Sequence, residues 1–564
     1  MEKDLKKEIG IIFDLLEQHG VRDVICSPGS RNAPLILNAD KRSNLTKYVV
    51  VDERMAAYIG LGMALISRKP VALVCTSGTA VLNYAPAVAE AYYRGIPLIV
   101  ISADRPLEWI DQDDSQTIRQ TGILSNITKG SYDVTAGIDS RQYDWFVNRS
   151  VNEAILKSMS GKPGPVHINV RINPPLNQGG EVMEEERKVE IIESRPKLDR
   201  KSLDNLVERF ASKKVMIVAG IMNPDDKLQK AVLTLSKLPN VCLMAETVSN
   251  LHLEPRQFMV DSVLTKLDDE QKRNLKPELL ISFGGALVSN LLKKYLREFK
   301  PEEHWSVGLS ENLIDCFKSL TAKIEIPAAS FIPQLASRLN SRNRYQPIEG
   351  QYRREWDETR AKAEKSNQRY YDSIGWSDFK VFEEILTHLP DNINLFLSNG
   401  TPVRYAQIIP YRMPHASFCN RGVSGIEGTV STFIGGAFKY KGLSLLITGD
   451  MSLSYDIGAL ANGLVSNRLR IIMIENGGGA IFRHIESTRN LEIREKYFCA
   501  DQPFPIKEFA ESCGWICRHA ADMKELKDCL KTFFDKSDLP QLLIVNTKDV
   551  DSAKIITNFL ENRI

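Results

Sequence analysis

Two oxygen-bearing side chains, Asp450 and Asn476, end the strand-like runs "LSLLITGD" and "RIIMIEN", 26 residues apart. The segment between them, "MSLSYDIGALANGLVSNR", has helical periodicity. A strand-helix-strand crossover sets the carboxyl ends of neighbouring parallel strands side by side, so the pattern predicts that both side chains reach one point. A carboxylate and an amide oxygen are hard donors, and the "GGG" turn at 477–479 adds the backbone carbonyl of Gly478. Such a set suits magnesium but does not fill its octahedron, which phosphate oxygens and water would complete. Gly-Asp and Asn-Gly-Gly are also ordinary turns of short α/β loops, so spacing alone leaves the turn and metal readings open. A third acid stands alone. Glu53, in "KYVVVDERMAAYIGLGMALI", follows a strand-like run at Tyr48–Val51 and opens a helix of small residues. Its local chemistry is that of a helix cap or a first-turn acid favoured by the macrodipole, a role that Asp52 could equally fill.

The elements that must position these groups alternate along the chain. From residue 1 to 182, "VRDVICSPGS", "KPVALVCTSG", "GIPLIVISADRP" and "GPVHINVRI" are β-branched runs separated by helical patterns, which predicts a parallel α/β sheet. An acidic, polar stretch at 177–199 reads as an exposed linker. A second α/β segment spans 198–338; its glycine clusters do not form GxGxxG, and a packing role is the simpler reading. The charged segment "YRREWDETRAKAEKSNQRYYDSI" reads as a solvated helical connector with little core. From 372 to 564 the alternation resumes. The expected class is therefore α/β, with three doubly wound domains built on parallel sheets. The first and last segments share a pattern, a helix with close-set glycines ("YIGLGMALI", "FIGGAFKY") leading into a buried strand, as two copies of one fold would.

Composition narrows the partners. The 564 residues carry 73 basic and 71 acidic side chains, a balance that gives no general attraction to nucleic acid or to an anionic membrane. Nine cysteines without a CxxC pair suit reduced thiols better than a disulfide framework or a zinc site. The amino terminus reads as a charged amphipathic helix, and no apolar run approaches the roughly 18 residues of a spanning helix. A cytoplasmic protein without membrane insertion is expected. The eight histidines occupy no triad-like setting, and His415 and His484 read as exposed loop residues. GxSxG is absent, which removes a serine-hydrolase reading.

The Gly449-Asp450…Asn476 pattern resembles the signature of thiamine-diphosphate enzymes, a Gly-Asp pair followed some tens of residues later by an asparagine. Met451 replaces the usual third glycine, and Glu475 stands where the family has a first asparagine. The resemblance implies that Asp450, Asn476 and Gly478 hold Mg2+ or Mn2+ against the cofactor's diphosphate. It also implies that Glu53 is the catalytic glutamate beside the cofactor's aminopyrimidine, in a site formed across a dimer interface.

Further strings, "SPGSRNAPL", "ADRP", "SQTIRQ" and "NRGVSGIEGTVST", resemble the 2-succinyl-5-enolpyruvyl-6-hydroxy-3-cyclohexene-1-carboxylate synthases of menaquinone biosynthesis. Members of that family decarboxylate 2-oxoglutarate on thiamine diphosphate and add the resulting carbanion to isochorismate. The implied acceptor ligands are Ser30, Arg31, Arg105 and Gln116. Arg404 and Arg421 would hold carboxylates of the donor, Ile426 would bend the cofactor, and Ile481 and Phe482 would cover its thiazolium side. Arginine forks on loops after strands suit substrates rich in carboxylates. An acetolactate synthase or a simple 2-oxo acid decarboxylase would not require these four arginines. Two positions depart from the family: Gly400 stands where a serine is frequent, and Asn290 or Leu291 falls where it has a basic residue, with only Lys293 and Lys294 near. A homodimer or a dimer of dimers is expected.

Overall fold

The computed structural model describes residues 6–179, 185–192, 196–252, 260–341, 351–501 and 503–561. Part of the predicted linker, 180–184 and 193–195, lies outside the described residues. The chain divides into two compact units: residues 1–193 with 422–441 and 455–466, and residues 194–421 with 442–454 and 467–564.

The first unit holds one six-stranded sheet of β1 (Asp23–Cys26), β2 (Thr46–Val49), β3 (Val71–Cys75), β4 (Leu98–Asp104), β5 (Ser131–Ala136) and β6 (Val166–Ile172), in the order β2-β1-β3-β4-β6-β5. The second unit holds two sheets. Its five-stranded sheet takes β7 (Val215–Ala219), β8 (Val241–Ala245), β9 (Leu279–Phe283), β10 (Glu303–Val307) and β11 (Ala322–Ile324), in the order β11-β10-β9-β7-β8. Its six-stranded sheet takes β12 (Asn394–Leu397), β13 (Ala416–Phe418), β14 (Ser444–Gly449), β15 (Leu469–Glu475), β16 (Ile516–Ala520) and β17 (Gln541–Asn546), in the order β13-β12-β14-β15-β17-β16. Among the described residues every pairing between strands is parallel, as the α/β alternation predicts. The two six-stranded sheets have the same strand order, position for position, which is the fold repeat suggested by their shared sequence pattern. Strands such as β3 and β4 are buried along their whole length, so they read as unbroken apolar runs rather than alternating ones.

The close-set glycines of the two repeats have a common purpose. In the first unit the helices Glu53–Ser67 and Thr429–Lys439 lie backbone against backbone. A Cβ on Gly62 would sit 2.1 Å from the Thr432 carbonyl oxygen, and one on Gly435 would sit 2.0 Å from that of Ile59. Neither neighbour is a flexible side chain, so any larger residue would force the helices apart, an overpacking that costs about 1–3 kcal/mol.

The charged segment is no solvated connector. It forms the helix Tyr352–Ser373, which buries Tyr352, Trp356, Ala363 and Tyr371 in the second unit, while the buried Arg360 donates to the Leu243 carbonyl at 2.6 Å. Charge on the other faces hid an apolar stripe at helical spacing. Among the described residues, no helix is long and apolar enough to cross a membrane.

Candidate functional site

The turn that starts at Asn476 closes on Asp450 through the N–H groups of Gly477 and Gly478. The strands β14 and β15 are parallel neighbours with Gly449 opposite Ile474, so the residues that follow them emerge side by side. The connection is less helical than its periodicity suggests, with a short helix at Asp450–Tyr455 and a 3-10 turn at Ile457–Ala461. Asp450 Oδ2 accepts the backbone N–H groups of Gly477 (3.1 Å) and Gly478 (3.0 Å), and Oδ1 accepts that of Met451 (2.7 Å). Gly477 and Gly478 have φ of 81° and 86°, the left-handed backbone that turns both N–H groups onto one carboxylate. Burial raises the Asp450 pKa above its ordinary value, and these N–H bonds oppose the shift.

Asn476 is oriented from behind. Its Nδ2 donates to Asp378 at 2.7 Å, which leaves its Oδ1 as the oxygen facing away. Asp378, itself buried, accepts from the Thr547 hydroxyl and donates its own backbone N–H to Ser552 Oγ. Arg483 ties down the turn by donating to the carbonyls of Asn476 (2.8 Å) and Gly477 (2.9 Å) and pairing with Glu495, whose pKa its hydrogen bond pulls down to about 2. The Gly478 carbonyl accepts from Ala480 N–H at 2.8 Å, and a Cβ on Gly478 would lie 2.1 Å from the Cys499 oxygen. Ile481 and Phe482 follow on the 3-10 turn Ala480–Arg483, both half-buried. His484 is not the exposed loop residue its surroundings suggest. Burial first, then Arg404, pulls its pKa down to about 4, so the ring is neutral, and its Nε2 is buried without a hydrogen-bond partner. His415 is exposed.

The residues present suit a diphosphate-bound magnesium ion. Asp450 and Asn476 are hard oxygen donors on either side of a turn whose backbone is locked by hydrogen bonds. Among the described residues no three His, Cys, Asp or Glu side chains gather as a metal site, so two side chains alone do not close a coordination sphere here.

In the same unit, a cationic cluster sits on the segments that follow β9, β12 and β13. Arg421 is 9 % exposed; its Nη1 donates to Asn399 Oδ1 (3.1 Å) and its Nη2 to the Leu287 carbonyl (3.3 Å), and its buried Nε has no partner. Arg404 donates to the carbonyl of Gly400, the next residue after Asn399. Gly400 has φ 95°, a conformation a serine rarely adopts, which accounts for glycine at that position. Lys293 donates to the same Leu287 carbonyl at 3.3 Å. Burial and the neighbouring positive charge of Arg421 lower the pKa of both Arg404 and Lys293, and on Lys293 Glu246 partly offsets the shift. Beneath them lie two acids, the wholly buried Glu246 and the half-buried Asp261, pushed up by desolvation to about 7 and about 6. Among the described residues none of the three cations forms an ion pair. Sequence reasoning doubted a basic residue from the middle segment; Lys293 is one, delivered by the first turn of the helix Asn290–Glu298.

The first unit holds Glu53. Asp52 is the helix cap, its carboxylate accepting Met55 N–H at 3.0 Å, so Glu53 at the first helical position is free of that duty. Glu53 Oε2 instead accepts from Asn83 at 3.3 Å and lines a cleft of ≈ 760 Å³ with Val49, Val51, Gly458 and Asn462. Val49 and Val51 are 72 % and 74 % exposed, an apolar rim beside an acid. The loop bearing the half-buried Ile426 is held in the same unit: Glu90 accepts the N–H groups of Gly422 and Val423, each at 2.7 Å, and Tyr58 donates to Glu427 at 2.9 Å.

Of the remaining residues, Arg31 is buried with Nη1 on the Ile172 carbonyl (2.9 Å), and burial followed by the Arg105 guanidinium pulls its pKa down. Arg105 pairs with Asp114 at 3.0 Å; Ser30 and Gln116 are exposed, Gln116 with φ 51°. The buried Gln120 escaped sequence reasoning. Its Oε1 accepts Gly78 N–H at 2.7 Å while its Nε2 donates to Ala103 and Asn169, both at 3.0 Å, tying the loop of Gln116 to β4 and β6.

Comparison with known proteins places this geometry in a family. Residues 10–123 match the "Thiamine pyrophosphate enzyme, N-terminal TPP binding domain" and residues 186–397 the "Middle domain of thiamine pyrophosphate". The 2-succinyl-5-enolpyruvyl-6-hydroxy-3-cyclohexene-1-carboxylate synthase of Porphyromonas gingivalis is 40% identical over 559 residues, covering 98% of this chain and 96% of its own. Proteins of the same name from Flavobacterium johnsoniae and Bacteroides thetaiotaomicron are 35% and 36% identical, each alignment covering 98% of both chains. Matched nearly end to end, the chain belongs to the 2-succinyl-5-enolpyruvyl-6-hydroxy-3-cyclohexene-1-carboxylate synthases, within the thiamine pyrophosphate enzymes.

Proposed function

We propose that this chain removes carbon dioxide from 2-oxoglutarate and adds the remaining four-carbon fragment to isochorismate by conjugate addition, in menaquinone biosynthesis. Thiamine diphosphate, when bound, supplies the electron sink for loss of the carboxylate and for the new carbon-carbon bond. The chain's own residues bind, orient and move protons. Asp450, Asn476 and the Gly478 carbonyl would hold Mg2+ or Mn2+ at the diphosphate. Glu53 would share a proton with the cofactor's pyrimidine; it is half-buried, bonded only weakly to Asn83, and relieved of capping by Asp52. Ile426, Ile481 and Phe482 would supply apolar walls that exclude water.

The observation that carries the substrate reading is the cluster of Arg404, Arg421 and Lys293. Three buried or half-buried cations bonded to neutral carbonyl and amide oxygens, with no ion pair among the described residues, form a site that an anion completes. A dicarboxylic donor provides that charge, and planar guanidinium groups can take its carboxylate on two nitrogens. Ser30, Arg31, Arg105 and Gln116 would receive the second anionic substrate, isochorismate. Self-association as a homodimer or dimer of dimers would cover the exposed Val49 and Val51 beside Glu53.

Arg421→Ala tests the donor site. Removing one charge-assisted contact to a desolvated carboxylate is expected to raise the KM for 2-oxoglutarate by about one to two orders of magnitude. Thiamine diphosphate affinity and the KM for isochorismate should change little. Unaltered donor kinetics, measured by carbon dioxide release at varied 2-oxoglutarate, would remove Arg421 from this role.

A further inference from the structure

Glu246 immediately follows β8 and is wholly buried, and its carboxylate hydrogen-bonds backbone rather than the side chains of the proposed substrate ligands. Its two carboxylate oxygens each take a backbone N–H from the turn after β9, Oε2 from Val288 at 2.8 Å and Oε1 from Ser289 at 2.7 Å. The N–H of Val288 and the C=O of Leu287 belong to one peptide group. That group is planar, and in its trans form the two bonds point in opposite directions. Gripping the Val288 N–H therefore aims the Leu287 carbonyl the other way, and on that side it meets Arg421 Nη2 and Lys293 Nζ, each at 3.3 Å.

The same turn is pinned a second time. Ser289 caps the helix Asn290–Glu298 by accepting Leu292 N–H at 2.9 Å, and its hydroxyl donates to the half-buried Asp261. The helix that carries Lys293 thus starts from a turn fixed by two acids, Glu246 and Asp261. One carbonyl, held rigidly, brings together two like charges that would otherwise separate. Because the acids bond to the turn rather than to the cations, both cations keep their remaining donors for a ligand.

We propose that Glu246 is a positioning residue for the donor site: through the Leu287–Val288 peptide it sets where Arg421 and Lys293 present their charge. The inference rests on the reading of Arg421 as a donor ligand. In Glu246→Gln the amide oxygen can accept one N–H, but the NH2 group faces the other, so the turn loses one of its two restraints. The expected result is a KM for 2-oxoglutarate raised about tenfold, as for loss of one buried hydrogen bond. Both kcat and the affinity for thiamine diphosphate by calorimetry should stay within about twofold, because Glu246 contacts neither Asp450 nor Asn476. Glu246→Asp, whose shorter chain cannot span both N–H groups, is expected to move the donor KM the same way and serves if the glutamine variant is insoluble. A purely structural role would lower the amount of folded enzyme and kcat while leaving the donor KM where it was. If Arg421→Ala raises that KM and neither Glu246 variant does, the inference fails alone. If Arg421→Ala leaves it unchanged, the reading beneath it fails as well.

Discussion

Glu53→Gln is expected to lower turnover by roughly 10²–10⁴-fold, the usual contribution of a positioned acid-base group. Glutamine matches glutamate in size and can still accept from Asn83, but it neither holds nor releases a proton near neutral pH. The variant should fold normally because the helix cap is Asp52, which bonds Met55 N–H, while the Glu53 carboxylate accepts from the Asn83 side chain rather than from the helix backbone. Circular dichroism and thiamine diphosphate calorimetry should match the wild-type chain while carbon dioxide release nearly stops. Activity close to wild type would refute the assignment of this acid.

Asp450→Ala is expected to weaken thiamine diphosphate binding in the presence of Mg2+ by at least about 10–100-fold, the scale seen when groups that organise a metal site are removed. Alanine deletes the hard oxygen donor and also releases three backbone N–H groups, those of Met451, Gly477 and Gly478. The turn that presents Asn476 and Gly478 would relax with it. Titrating Mg2+ separates the causes, since a lost cation ligand shows as a weakened dependence of cofactor binding on the metal. Unchanged affinity by calorimetry would count against the site.

Much of this was legible in the chain because it is local. Asp450 and the turn that starts at Asn476 come together because adjacent parallel strands have nearly fixed geometry, and a strand buried on both faces leaves an apolar run that marks its own end. The glycines of the two repeated helices were visible as a pattern, though only the packing of Gly62 on Thr432 and Gly435 on Ile59 explains them. What escaped depends on distant residues. Nothing near Glu246 in sequence points to Val288, and nothing near Lys293 points to Arg421; their shared carbonyl exists only once β8, β9 and the residue after β13 are assembled. The helix Tyr352–Ser373 misled through its charge: Tyr352, Trp356, Ala363 and Tyr371 follow one face, but the charged residues on the others dominate the composition. The segment after Asp450 misled in the opposite sense. Apolar periodicity runs through Gly458 and Gly463, where a regular helix gives way to a 3-10 turn and loop.

The most direct test of the whole account is carbon dioxide release from 2-oxoglutarate by the purified chain with thiamine diphosphate and Mg2+, with and without isochorismate. The account predicts release that depends on both cofactor and metal, rises when isochorismate is added, and matches mole for mole the appearance of a product carrying the four-carbon fragment. Turnover of pyruvate at comparable efficiency, or release indifferent to isochorismate, would contradict it.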